Sequence, residues 1–373
     1  MTVVKKVRNN DGIAGWKIDH PLERKLSKLA DKSLFWKKMY VKFYKVFDKQ
    51  YYVNGLKFIE KNINTFVGVV SKQQKQEYIV DMVYSLHRFG CMFDEYFFFD
   101  FRKLNTQGRE AFITDKIRWS YYERMNLDEN KELFNNKRKA YELFKEYYKR
   151  ELIEISCDDD FDSFIDFVKR HDRFIIKPIA GSGGKGISIV SITEYDDINH
   201  AFSEIRKIGP VVIEELIIQA RQMNQLHPKS LQTIRVPTLV VGDNVEVFHP
   251  VLRIGIGDSV VDNASSGGII CPVDVATGIC YKEGVDERGN RYIHHPDTNA
   301  VLPGFQIPQW GEAIKLAKKL AHIVKGNHYV GWDLALTDDG WVMVEGNPRG
   351  QFIMQVATQQ GVKEELEVFI SKM

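Results

Sequence analysis

The chain has 373 residues, with 52 Lys+Arg against 50 Asp+Glu, and is 44% hydrophobic and 27% charged. That length supports two or three folding units with sizeable cores, and the composition excludes a disordered or fibrous chain. No apolar run approaches the roughly 18 residues that a bilayer span needs, and MTVVKKVRNNDG at the start lacks the apolar stretch of a secretory signal. The four cysteines (Cys91, Cys157, Cys271, Cys280) are widely spaced and form no CxxC pair, which excludes a disulfide framework and a zinc cluster and makes a cytoplasmic location the expectation.

The near-zero net charge conceals an asymmetry. Residues 1–75 hold 17 Lys/Arg and 6 Asp/Glu, a net +11, whereas the remainder is net −9. Aromatic residues interleave with the lysines in LFWKKMYVKFYKVFDKQYY (34–52). The plainest reading is a solvated helix whose aromatics pack on a neighbour. The same pattern suits peripheral contact with the anionic cytoplasmic face of a membrane. Nucleic acid is the weakest of the three readings and is not expected as a partner.

Residues 22–155 read as mostly helical, with Pro absent between Pro21 and Pro178. DENKELFNNKRKAYELFKEYYKRELIEI (128–155) predicts one helix running into a short strand. RFIIKPI (173–179), GSGGKG and ISIVSI (187–192) then predict strand, glycine loop, strand, followed by a helix at about 195–207 and a strand PVVIEEL (210–216). TIRVPTLVV (233–241), VEVFHPVLRIG (245–255) and GGIICPVDV (267–275) predict an antiparallel sheet. IPQWGEAIKLAKKLAHIV (307–324) predicts an amphipathic helix, and residues 328–350 predict two strands around an Asp-Asp-Gly turn. The expected organisation is a helical region over 1–125, a first lobe over 126–216 carrying the glycine loop, and a second lobe over 217–373. The fold class is α+β.

Two constellations carry chemistry. GSGGKG continues into a strand rather than a helix, so it is no dinucleotide fingerprint, and it lacks the Lys-Ser/Thr of a P-loop. What remains is a hairpin whose backbone N–H groups and Ser182 hydroxyl could close on phosphate oxygens, with Lys177 four residues before Gly181 reaching the same oxygens. A purely structural glycine turn is the competing reading. In the second constellation, Glu345 and Asn347 share a strand face by period two, and hairpin pairing brings Asp333 to that face. Three oxygen ligands without His or Cys suit Mg²⁺. An ordinary polar hairpin face is the alternative, although VMVEGNP is otherwise too apolar to favour it. No histidine occupies a persuasive catalytic setting, and neither GxSxG nor HExxH occurs.

Taken in order, Lys177-Pro178 before the glycine loop, the acidic strand VVIEEL, and Asp333 followed by Glu345-x-Asn347-Pro-Arg resemble the ATP-grasp superfamily over about residues 130–350. The stretches 86–101, 230–239, 252–269 and 331–351 resemble its sugar-transfer-associated branch, which is linked to cell-surface polysaccharide biosynthesis. The resemblance implies a two-lobed ATP-grasp core behind the helical region. It implies ATP phosphates on Lys137 and Lys177, and a lid of Gly181, Ser182, Gly183, Gly184 and Gly186. Adenine would be read along a hinge of Glu214, Glu215 and Ile217, with Mg²⁺ on Asp333, Glu345 and Asn347. The ribose contact has no obvious acidic residue, Gln219 and Gln222 being the nearest polar candidates.

Arg235, Arg253 and Arg349 are the candidates for stabilising a transferring phosphoryl group and an oxyanion, with buried ion pairing to Asp333 or Asp262 as the structural alternative. Asp262 and Asn263 would line the acceptor pocket, or form a plain Asx turn. The function implied is an ATP- and Mg-dependent carboxylate–amine ligase working through an acyl-phosphate, with carboxylate and amine small molecules or glycans as substrates. A kinase-like phosphotransferase and a non-catalytic ATP-binding module are the alternatives.

Overall fold

The computed structural model describes residues 3–4, 18–19, 21–181, 186–259, 262 and 267–373. The chain divides into two compact units, one comprising residues 1–121 with 351–371, the other 122–350 with 372–373. The first unit therefore takes a segment that the sequence reading had placed in the 217–373 lobe.

In the first unit two short strands, β1 (Val3–Val4) and β2 (Ile18–Asp19), pair antiparallel ahead of α1 (Pro21–Ala30), α2 (Leu34–Phe47), α3 (Lys49–Phe66) and α4 (Lys72–Phe89). Local signals set these helix ends. Ser33 caps α2, and Ser71 with Gln74 forms a reciprocal capping box on α4. Gly90 closes α4 at φ 68, where a Cβ would meet Lys116 at 2.9 Å, so only glycine fits. The short helices α5 (Glu95–Phe98) and α6 (Thr106–Glu110) follow. Asp81 on α4 ties them together: it accepts from Lys37 of α2 at 2.7 Å, Tyr96 of α5 at 2.6 Å and both terminal nitrogens of Arg109 of α6. α2 meets α4 through the edge-on pair Tyr40–Tyr84, both buried.

α7 (Asp115–Met125) carries the chain into the second unit. There the predicted single helix over 128–155 is two, α8 (Lys131–Asn135) and α9 (Lys137–Tyr148). Asn136 breaks it: its backbone is extended, it bridges Ala180, and its side chain accepts from the Lys139 N–H as the cap of α9. Four antiparallel strands form a first sheet in the order β3-β6-β4-β5: β3 (Leu152–Ile155), β4 (Arg173–Pro178), β5 (Ser188–Ser191) and β6 (Val211–Glu215). α10 (Phe161–Val168) and α11 (Ile198–Ile208) cover it over a core that includes Phe164, Phe167, Phe174 and Ile213.

After the short α12 (Arg221–Asn224), an eight-stranded antiparallel sheet is built from β7 (Thr233–Val241), β8 (Asn244–Val247), β9 (Val251–Ile254), β10 (Ile269–Pro272), β11 (Gly284–Val285), β12 (Arg291–Tyr292), β13 (Tyr329–Thr337) and β14 (Gly340–Asn347). The strand predicted over 245–255 is split into β8 and β9, and both pair with β7. Pro237 in β7 accepts from Phe248 N–H but has no N–H to return, and Pro250 lacks one too, so the ladder is interrupted at 248–250. α13 (Trp310–Ala321) and α9 bury Ala313, Leu320 and Phe144 against Val236, Trp332 and Met343 of this sheet. The chain ends with α14 (Met354–Thr358) and α15 (Lys363–Ile370), which belong to the first unit. Among the described residues no helix is long and apolar enough to cross a membrane.

Candidate functional site

A cleft of about 380 Å³ lies within the second unit, walled by strand ends of its two sheets. One wall comes from β4 and β6. Lys177, near the end of β4, donates to Glu214 of β6 at 2.9 Å, and Arg150 donates to the same carboxylate oxygen at 3.0 Å. Burial alone would push the Glu214 carboxyl up, but Lys177 and Arg150 outweigh it and hold it below the ordinary value. Arg150 also donates to the Met343 carbonyl at 2.7 Å, so one buried guanidinium joins β6 to β14. Nothing in the sequence singled out Arg150, because no motif surrounds it in KRELIEI. The only signal was a cation placed just before a strand that had to be buried.

The chain leaves the first sheet at Glu215, and Leu216 to Gln219 run along the cleft. The backbone groups of Leu216 and Ile217 hydrogen-bond to no described residue, leaving a free peptide edge there. Gln219 also lines the cleft, but its amide is engaged by Asn224 at 2.7 Å and by the Gln232 N–H at 2.6 Å. Gln222 is exposed and does not line it.

The break at Asn136 positions the next cation. Lys137 N–H bonds to the Ile179 carbonyl at 3.0 Å, and its ammonium reaches the Gly181 carbonyl at 3.1 Å, at the root of the glycine loop. Burial lowers the Lys137 ammonium below the usual lysine value, although Glu345 across the cleft favours its charge. Gly181 and Gly186 adopt φ 121 and 74, left-handed conformations natural to glycine. Ser182, Gly183 and Gly184 of the predicted lid, and Asn263, lie outside the described residues.

The floor comes from β7, β9, β13 and β14. Asp333 and Glu345 are direct cross-strand partners, with a bulge just beyond them. An unbroken period of two would put Glu345 on the face of Trp341 and Met343, which is core. The extra residue Val344 re-aims it, and the Glu345 side chain opens to the cleft. Asn347 donates to Asp333 at 3.3 Å and to Glu345 at 3.2 Å, so its amide nitrogen sits between the two carboxylates. The three oxygen-bearing side chains expected to converge do so.

The arginines divide. Arg235 embraces both oxygens of the fully buried Asp333 and does not itself line the cleft. Arg253 lines it, donating to Asp333 at 2.9 Å and to Thr233 at 2.7 Å. Arg349 points elsewhere, pairs with Asp128 and is absent from the cleft wall. Asp262 is buried at the cleft, accepting from the Thr233 N–H at 2.7 Å. Burial lifts its carboxyl above the ordinary value despite Arg253. Burial lifts Asp333 as well, but its two arginines outweigh this and hold it low, whereas burial and the Asp333 charge raise Glu345.

Two carboxylates held side by side are the oxygen donors that a hard divalent cation takes, and the Asn347 side chain would turn its amide oxygen, in place of its nitrogen, toward such an ion. The donor set holds two carboxylates and one amide. No group of three or more His, Cys, Asp or Glu suited to a metal occurs among the described residues. Asp333 spends most of its acceptor capacity on Arg235 and Arg253, so Glu345 is the more open ligand.

Solved structures of similar course include the D-alanine–D-alanine ligase of Helicobacter pylori (12% identity, TM-score 0.42, 67% of this chain and 64% of that one). They also include the ATP-grasp ligase PsnB complexed with a minimal precursor (14%, 0.41, 66% and 63%) and an L-amino acid ligase of Bacillus licheniformis (14%, 0.36, 61% and 43%). The chain thus spans less than two thirds of the length of each of these three. No curated protein matches the sequence significantly. Residues 116–370, well over half of the chain, match the sugar-transfer associated ATP-grasp family, and the chain belongs to that family.

Proposed function

We propose that the chain is an ATP- and Mg²⁺-dependent carboxylate–amine ligase whose substrate is a cell-surface polysaccharide or its precursor. The observation that carries this reading is the shared cleft: Lys137 and Lys177 stand on one wall, while Asp333 and Glu345 stand on the floor opposite. A triphosphate needs both, cations for its oxygens and carboxylates for the metal that accompanies it. The free peptide edge at Leu216 and Ile217 offers a donor and an acceptor to the adenine ring. Glu345, Asn347 and Asp333 would hold Mg²⁺, whose contribution is to offset phosphate charge. The glycan part of the reading is supported by the family's description alone.

In the reaction proposed, a carboxylate oxygen of the substrate attacks the γ-phosphorus of ATP, giving an acyl-phosphate and ADP. An amine then attacks the acyl carbon, an amide forms, phosphate leaves and the amine proton passes to solvent. The chain's own groups act by position and charge. Lys137 and Lys177 orient the phosphates, and Arg253, the cleft-facing member of the arginine set, neutralises charge on the transferring group or the oxyanion. Asp262 beside it orients the acceptor. Arg235 acts through Asp333 by holding it in place.

The test is ADP and phosphate release with ATP, pooled uronic acids and pooled amino acids, with Glu345→Gln as control. Amine-dependent release of both products supports ligation. A stable phosphorylated product without free phosphate would instead assign a phosphotransferase, and nucleotide binding without turnover a non-catalytic module. Undiminished turnover in Glu345→Gln would remove the metal role from that residue.

A further inference from the structure

The first unit carries a surface that the cleft chemistry does not use. Nine of the twenty large apolar side chains exposed among the described residues fall within 22–69, including Phe35 at 64% and Val46 at 74%. α2 shows why these are not random. Its sequence, LFWKKMYVKFYKVF, contains four lysines and no acid. At about 100° per residue, the exposed Leu34, Phe35, Lys38, Lys42, Lys45 and Val46 fall on one arc of roughly 120°. The buried Tyr40, Val41, Phe43 and Tyr44 occupy the opposite side, where Phe47 at the end of the helix is exposed as well.

A solvated helix face has no use for three large apolar side chains, and the core already has its own face. A protein-binding patch would gather its apolar residues at a centre and its charges at a rim. Here the order is reversed: Lys45, Lys38 and Lys42 take the middle of the arc, with Leu34 on one edge and Phe35 and Val46 on the other. A bilayer headgroup region meets that pattern directly, because phosphates lie within a few ångströms of acyl chains. Lys38 and Lys42 form no ion pair with a described residue, and their ammonium groups remain available to anionic lipid.

We propose that this outer face of α2 docks the protein peripherally on an anionic phospholipid surface, with Phe35 and Val46 entering the headgroup–acyl boundary and Lys38, Lys42 and Lys45 pairing with lipid phosphates. It does not depend on the ligase reading.

The test is flotation of the full chain with vesicles of phosphatidylcholine alone or mixed with phosphatidylglycerol, at low and near-physiological salt. Binding to the phosphatidylglycerol vesicles is expected, weakening as salt rises and low with phosphatidylcholine alone. Lys38→Glu/Lys42→Glu/Lys45→Glu should lower the partition coefficient by more than about tenfold, and Phe35→Ser/Val46→Ser by about tenfold. Both variants alter exposed side chains, so unchanged circular dichroism is the folding control. Absence of flotation with phosphatidylglycerol, equal flotation with phosphatidylcholine alone, or undiminished binding by the lysine variant would overturn the proposal. So would a dimer in light scattering that Phe35→Ser/Val46→Ser dissociates without changing flotation, since the face would then belong to a second copy.

Discussion

Asp81 in the helical unit and Asp333 in the two-sheet unit, each at the wall of a cleft, have nearly the same immediate chemistry. Each is a carboxylate, half-buried at Asp81 and fully buried at Asp333, gripped by an arginine through both oxygens, with a second cation completing the set: Lys37 at Asp81 and Arg253 at Asp333. Burial raises each, and the neighbouring cations more than reverse it, so both stay ionised well into acid. The difference lies one residue away. Around Asp81 the remaining acceptor capacity goes to Tyr96, and the cluster ties four helices together. Beside Asp333 stands a second carboxylate, Glu345, which is raised rather than lowered and faces open space. A buried ion pair by itself is a structural fastening. An uncompensated acid next to one, at the floor of a cleft, signals a ligand still to come.

Four substitutions sharpen or break that contrast, taken from the largest effect. Asp333→Asn should cost about 3–5 kcal/mol of stability, because it leaves two buried arginines facing a neutral partner; a urea midpoint within error of wild type would mean that the pairing does not hold the sheet. Glu345→Gln should reduce turnover by about 10²–10³ yet leave the midpoint equal or higher, since it removes the acid that Asp333 repels. If it destabilises instead, the two clusters are alike and the contrast fails.

Asp81→Asn should cost about 1.5–3 kcal/mol with turnover per folded molecule unchanged. It also carries a pH signature. The folded-state carboxyl lies below its ordinary 3.8, so its contribution is full above that value and disappears as pH falls through the folded one. Urea midpoints followed downward from neutral pH should therefore fall less steeply in Asp81→Asn than in wild type. Smallest is Lys137→Ala, expected to weaken ATP binding about tenfold, or 1.4 kcal/mol, by calorimetry. Unaltered affinity would take the phosphates away from the Gly181 root.

Much of this was legible in the chain before any coordinates. Period-two runs and turn residues located β4, β7, β13, β14 and the Asp338–Asp339 turn, and the motif order pointed to Lys177, Glu214, Asp333 and Glu345, which line one cleft. What escaped is specific. The helix over 128–155 looked continuous because Asn136 is a mild helix residue; only its bridge to Ala180 makes it a break, and that break delivers Lys137. The 245–255 strand looked whole because its apolar alternation hides the missing N–H of Pro237 on the neighbouring strand. Arg349 sits in the motif, yet pairs with Asp128 off the cleft.

Local patterning, then, determined the class of fold, the hairpins and several of the charged residues that line the cleft, because burial periodicity and turn propensity act over a few neighbours. Whether a given charge would be spent or left open was decided only by tertiary structure. Arg150 reaching Glu214, Arg235 closing on Asp333, and Val344 turning Glu345 out of the core each depend on strands far apart in the chain. The free energy of a buried charge is set by what surrounds it in space, and a linear sequence does not state that.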